Sequence, residues 1–167
     1  DGYAQGGLAD IALFCGLALL SLFLPELACA GNSLPAPTQV SAHTWAWIGS
    51  YGPPTKENRG FRMNLGFVSG PDSVPVIDSG YGDAMANAML ERIVQVTDRP
   101  VRYVINTNSQ PHRILGNATF RAGGAEIIAA AEAAPRIAGE GAAMAGTAQG
   151  TLGLPPGSIQ VPGAPER

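Results

Sequence analysis

Two apolar runs joined by a helical stretch constrain this chain most. Val74 to Asp78 reads Val-Pro-Val-Ile-Asp, a short buried strand closed by the turn residues Ser79 and Gly80. Met85, Met89, Leu90 and Ile93 then fall on one helical face, so a helix is predicted from Asp83, as its cap, to about Val96. Asp98-Arg99-Pro100 ends it, and residues 101–106, Val-Arg-Tyr-Val-Ile-Asn, form another strand. Two strands separated by a helix belong in one sheet with the helix packed on its face.

The surrounding chain adds strands on the N-terminal side and helix on the C-terminal side. Residues 40–48 alternate weakly and carry Trp45 and Trp47, predicting one strand. In residues 60–69, Phe61, Met63, Leu65 and Phe67 alternate, predicting a half-buried strand. Residues 107–113 read as a polar loop, and residues 126–129 as a strand or a helix start. The Ala-rich stretch to about Gln149 is helical in composition but cut by Pro135, and residues 151–167 read mostly as loop. The expected class is α+β.

Near the N-terminus, residues 11–24 are uncharged and apolar, followed by the small-x-small pattern Ala28-Cys29-Ala30. This fits a cleaved export signal or an uncleaved anchor helix, and both place the rest outside the cytoplasm. As a helix, fourteen residues reach about 21 Å, short of the hydrocarbon core of about 30 Å. A marginal membrane segment extends over 8–27, bounded by Leu8 and Leu27 and interrupted by Asp10 and Glu26. The expected organisation is a signal or anchor over 1–31, a linker over 32–39 and a folded domain over 40–167. Charged residues make up 14% of the chain, against about 25% in ordinary domains, which suits a membrane segment or a partner-covered surface. A net charge of −3 without a basic run argues against nucleic-acid binding. The two cysteines, Cys15 and Cys29, show no metal-ligand or disulfide spacing.

The run Val-Pro-Val-Ile-Asp-Ser-Gly (74–80), the helix, Pro-Val-Arg-Tyr-Val-Ile-Asn-Thr (100–107) and Gly-Asn-Ala-Thr-Phe (116–120) together resemble the metallo-β-lactamase superfamily. Glu-Asn-Arg-Gly-Phe (57–61) and the Leu-Gly-Leu-Pro-Pro-Gly-Ser-Ile-Gln-Val-Pro of 152–162 are similar to its branch of quinoprotein relay system zinc metallohydrolases. The resemblance implies the first β-lobe, with flanking helices, of an αββα sandwich, here preceded by the hydrophobic N-terminal helix. It also implies a loop Thr-His-x-His-x-Asp-His-x-x-Gly-Asn after the strand, holding zinc whose bound water becomes hydroxide near neutral pH.

Laid on that loop, Thr107, Gly116 and Asn117 match as scaffold without insertion or deletion, and the four ligand positions do not match. Asn108 and Gln110 replace the first two histidines, His112 replaces the aspartate, and Arg113 replaces the last histidine. Neutral amides are poor zinc ligands, and a guanidinium has no lone pair to give and adds a repelling charge. These four, with Asp78, are vestigial metal-site positions. Asp78 is kept, and the resemblance gives it the role of holding the loop by hydrogen bonds. No catalytic residue, metal or cofactor is expected.

The later ligands of the family's second lobe have no counterpart, since His43 and His112 are the only histidines. A lone first lobe leaves an apolar sheet face in water, unfavourable by roughly 25 cal/mol per Å2. We therefore expect that face to meet a partner chain, a second copy, or residues that the given sequence does not include. The leading expectation is a bacterial pseudoenzyme, periplasmic or otherwise extracytoplasmic, serving as an accessory or structural subunit of a membrane assembly. The alternatives are a periplasmic zinc hydrolase linked to quinoprotein metabolism and a small-molecule binding module.

Weaker signals have bland readings. Asp78-Ser79-Gly80-Tyr81-Gly82-Asp83 has the look of a phosphate-binding turn but lacks its third small residue, Met85 standing there. Asn117-Ala118-Thr119 is a glycosylation sequon read as a turn. Trp45, Trp47 and Tyr51 suit a core better than a binding face, and His43 suits a surface. Asn108, Gln110, His112 and Arg113 also form a cluster of donors suited to a small anion.

Overall fold

The computed structural model describes residues 34–167, so the signal or anchor segment lies outside the described residues. The fold is mixed α+β, a six-stranded sheet flanked by helices. The strands are β1 (Thr38–Ser41), β2 (Thr44–Trp47), β3 (Leu65–Val68), β4 (Val74–Ile77), β5 (Val101–Asn106) and β6 (Glu126–Ala129), side by side in chain order. The helices are α1 (Asp83–Ile93), α2 (Pro111–Ile114), α3 (Asn117–Ala122) and α4 (Ala134–Leu152). β1 to β4 pair antiparallel, whereas β4, β5 and β6 pair parallel. The change follows the connections. Short turns join β1 to β2 and β3 to β4, a longer loop over 48–64 joins β2 to β3, and α1 and the α2–α3 pair carry the chain back to the same end of the sheet.

The register sorts side chains into two continuous rows. Trp45, Phe67, Val76, Val104 and Ile127 are cross-strand neighbours on the inner face. They join Met85, Met89 and Ile93 of α1 and Ile137 of α4 in one core, with Phe67 stacked on Trp45 at 5.3 Å. The outer row runs Ala46, Gly66, Ile77, Ile105, Ile128. Its members stay part-exposed, Ile105 by 36%. The outer row is therefore apolar and part-exposed among the described residues.

Several local expectations are revised. Residues 40–48 are a hairpin, turning at Ala42 and His43, instead of one strand. The strand predicted over 60–69 pairs only from Leu65, and it is preceded by a turn in which Arg59 and Gly60 have positive φ (48° and 79°). α1 stops at Ile93, and its cap position is Gly82, with Asp83 its first residue. The polar loop contains α2 and leads into α3. Pro135 lies in the first turn of α4 and so starts that helix instead of cutting it. Leu34, assigned to the linker, is 1% exposed within the core, and the Trp47 indole donates to Pro35 O at 3.0 Å.

At the far edge, the C-terminal residues pair alongside β6. Ala129 N donates to Arg167 O at 2.7 Å and Glu166 N to Ile127 O at 2.9 Å. Arg121 holds this segment through Glu166, at 2.6 Å, and through Pro162 O and Ala164 O. An edge strand that would offer free backbone groups is thereby covered.

Candidate functional site

The polar loop after β5 lies at the C-terminal ends of β4 and β5. Asp78 follows β4 with φ 61°, a left-handed conformation that Asp tolerates better than most residues. Its N–H donates to Ile105 O at 2.9 Å, which ties this turn to β5. Its carboxylate is 1% exposed. Oδ1 accepts from Thr107 N at 2.8 Å, and Oδ2 accepts from Thr107 Oγ1 at 2.9 Å. Oδ2 also accepts from Arg113 Nη1 at 2.5 Å, while the same guanidinium nitrogen donates to Thr107 Oγ1 at 3.1 Å.

Arg113 is fastened at its backbone too. Its carbonyl accepts from Ser79 N at 2.8 Å, Ser79 Oγ at 3.1 Å and Asn106 Nδ2 at 3.0 Å. Beyond it, Asn106 and Asn117 exchange amide hydrogen bonds of 3.1 and 2.8 Å, both nearly without exposure. Gly116 lies against Ser79, where a Cβ would come within 2.1 Å of Ser79 O, so no larger residue fits. Thr107, Arg113, Gly116 and Asn117 are thus closed with Asp78, Ser79 and Asn106 into one clasp. A buried carboxylate without a cation would be costly, and Arg113 supplies that cation.

The other residues of the loop serve its own shape. Asn108 Oδ1 accepts from Gln110 N at 2.8 Å, an Asx turn, so this side chain is turned to its own backbone. Gln110 is the extended cap before Pro111 and is exposed. His112 is half-buried. Burial pushes its pKa below the ordinary 6.5, Arg113 and Arg62 push the same way, and Asp78 opposes them only in part. Among the described residues no three His, Cys, Asp or Glu side chains are grouped to hold a metal. Two amides, one imidazole and a paired guanidinium do not fit zinc. The small-anion cluster is also altered, since Arg113 is spent on Asp78 and Asn108 on its turn.

A pH effect follows from His112. Its protonation is easier in the unfolded chain, so the imidazole costs nothing well above pH 6.5 and destabilises the fold as pH falls below it. Melting wild type and His112→Asn between about pH 7.5 and 5 is expected to show a smaller acid-side loss for the variant. Parallel pH curves would contradict it.

The other sequence candidates are accounted for. The glycine turn is filled by Met85, since Tyr81 N donates to its Sδ at 3.3 Å and a Cβ on Gly80 would meet that sulfur at 2.8 Å. Trp47 is buried, Trp45 half-buried and Tyr51 fully exposed, so the three form no common face. Residue-by-residue reading missed Ser79 and Asn106, which grip the loop from the ends of β4 and β5, and Arg62, whose charge reaches His112. The signal for Asn106 was a polar residue closing an otherwise apolar strand.

No protein-family model matches the chain, and no curated protein matches it. Among solved structures it is similar to metallo-β-lactamase-fold proteins. A HARLDQ-motif variant of the Cronobacter sakazakii metallo-β-lactamase shares 21% identity at a TM-score of 0.49, over 63% of this chain and 37% of that one. A second HARLDQ-motif variant from that organism shares 22% at 0.49, over 62% and 38%. A Pseudomonas aeruginosa metallo-β-lactamase in its mono-zinc form shares 18% at 0.48, over 72% and 47%. The chain spans less than half the length of each.

Proposed function

We propose that this chain is a non-catalytic, metallo-β-lactamase-like module whose metal loop has become a metal-independent clasp, and that it serves as an accessory or structural subunit of an envelope assembly. The observation that carries this reading is the Arg113 guanidinium on the buried Asp78 carboxylate, at a position where the sequence resemblance implies a zinc-binding histidine. A fixed cation there supplies the charge that a metal would, and supplies neither a Lewis acid nor an activated water. The zinc-hydrolase alternative needs donors that the loop does not offer.

The outer sheet face supports the accessory role. The row Ala46, Gly66, Ile77, Ile105 and Ile128 offers a partner an apolar surface of the kind sheets bury against each other about 10 Å apart. Membrane attachment would come through residues 8–27, outside the described residues. Among the described residues no helix is long and apolar enough to cross a membrane. Sedimentation of the full chain is the test. The reading expects self-association or dependence on detergent or a partner, and a stable, monodisperse monomer without detergent would contradict it.

A further inference from the structure

We infer that the cavity between α1 and the C-terminal end of α4 binds a small amphipathic carboxylate, a ligand with an apolar body and one acidic head. The cavity has a volume of about 370 Å3 and shares no lining residue with the clasp. That volume is within the range of small-molecule sites, about 300–1,000 Å3. Met85, Ala88 and Ile159 give it a buried apolar floor, and Leu152 adds a wall.

The wall is held in place before any ligand arrives. Ile159 N donates to Gln149 Oε1 at 3.0 Å, and Gln160 N donates to Asp83 Oδ2 at 2.7 Å. These bonds fasten the segment after α4 to α4 itself and to the start of α1. A site with its walls fixed loses little conformational freedom on binding.

The charges around it select the head group. Four charged side chains line the cavity: Lys56, Arg59, Asp83 and Glu91. Asp83 is satisfied at both oxygens, Oδ1 by Thr119 Oγ1 at 2.6 Å and Oδ2 by Gln160 N. Arg59 and Glu91 are each engaged within the protein. Lys56 makes no side-chain hydrogen bond or ion pair among the described residues, and its charge acts on the fully exposed carboxylate of its chain neighbour Glu57, outside the cavity lining. Its stem lies across Gly153, where a Cβ would come within 2.4 Å of Cε, so the ammonium is held at the C-terminal end of α4 beside the cavity. An apolar body on the floor with a carboxylate at Lys56 complements both features. A cationic amphiphile would face the ammonium, and a neutral one would leave it unused.

Titration of the full chain with 3-phenylpropanoate, 3-phenylpropanol and 3-phenylpropylamine, read by amide NMR, tests this. The acid is expected to bind one-to-one and shift the amides of Ala84, Ala88 and Ile159. The alcohol and the amine should each bind at least about tenfold more weakly, a difference of about 1.4 kcal/mol. Lys56→Ala should bring the acid to the alcohol's level. Ala84→Trp, at an exposed helix position, should block both. Equal binding of acid and alcohol, an acid affinity unchanged by Lys56→Ala, or an absence of shifts at those three amides would overturn the assignment. Zinc plays no part in this readout, so its outcome is separate from that of the clasp.

Discussion

Arg113→Ala is expected to destabilise the fold by about 3 kcal/mol, the low end of the range for breaking a buried ion pair. The low end applies because the Arg113 side chain is 26% exposed while Asp78 is only 1% exposed. Removing the guanidinium leaves the carboxylate buried, with only the Thr107 donors on it. Asp78→Asn should cost less. Asn keeps an acceptor for Thr107 N, tolerates the left-handed backbone at this position, and leaves the charge on the partner that water can reach. Urea melts of the two variants test the order. An Arg113→Ala loss under about 1 kcal/mol would make this pair a peripheral contact, like an exposed salt bridge.

The second large effect should come from rebuilding the donors. A chain carrying Asn108→His, Gln110→His, His112→Asp and Arg113→His together regains the ligand pattern that the resemblance implies. It also loses the Arg113 clasp, so without metal it should melt earlier than wild type. Zinc should then bind and restore stability, by about 2.7 kcal/mol at a free concentration one hundred times its Kd. Pro111 and Gly116 are untouched, so the loop length and its contact with Ser79 remain. Melts with and without zinc, together with a zinc titration, check this. A variant indifferent to zinc would mean that the loop is not in register with the metal motif.

Much of the sheet was legible because its burial is one-sided. Leu65, Phe67, Val74, Val76, Val104 and Ile127 alternate with part-exposed neighbours, which gives the period of two that marks strands. The hairpin inside 40–48 was hidden because its turn, Ala42-His43, uses neither Gly nor Asn. α2 and α3 have four and six residues, too few to show a helical period, although Pro111 at the start of α2 was a signal. In the site, the poor zinc-donor character of Asn108, Gln110 and Arg113 was legible residue by residue. The ion pair was not, because Arg113 and Asp78 are separated by 35 positions and only the parallel pairing of β4 with β5 brings their turns together. A charge read as repelling a metal proves to neutralise a carboxylate.

Equilibrium dialysis of the purified wild-type chain against zinc, with metal counted per chain, bears most directly on whether the loop works without a metal. The account predicts far less than one zinc per chain at micromolar free zinc, and a melting temperature unchanged by chelator. One tightly held zinc per chain, lost on Asn108→Ala or His112→Ala, would contradict it.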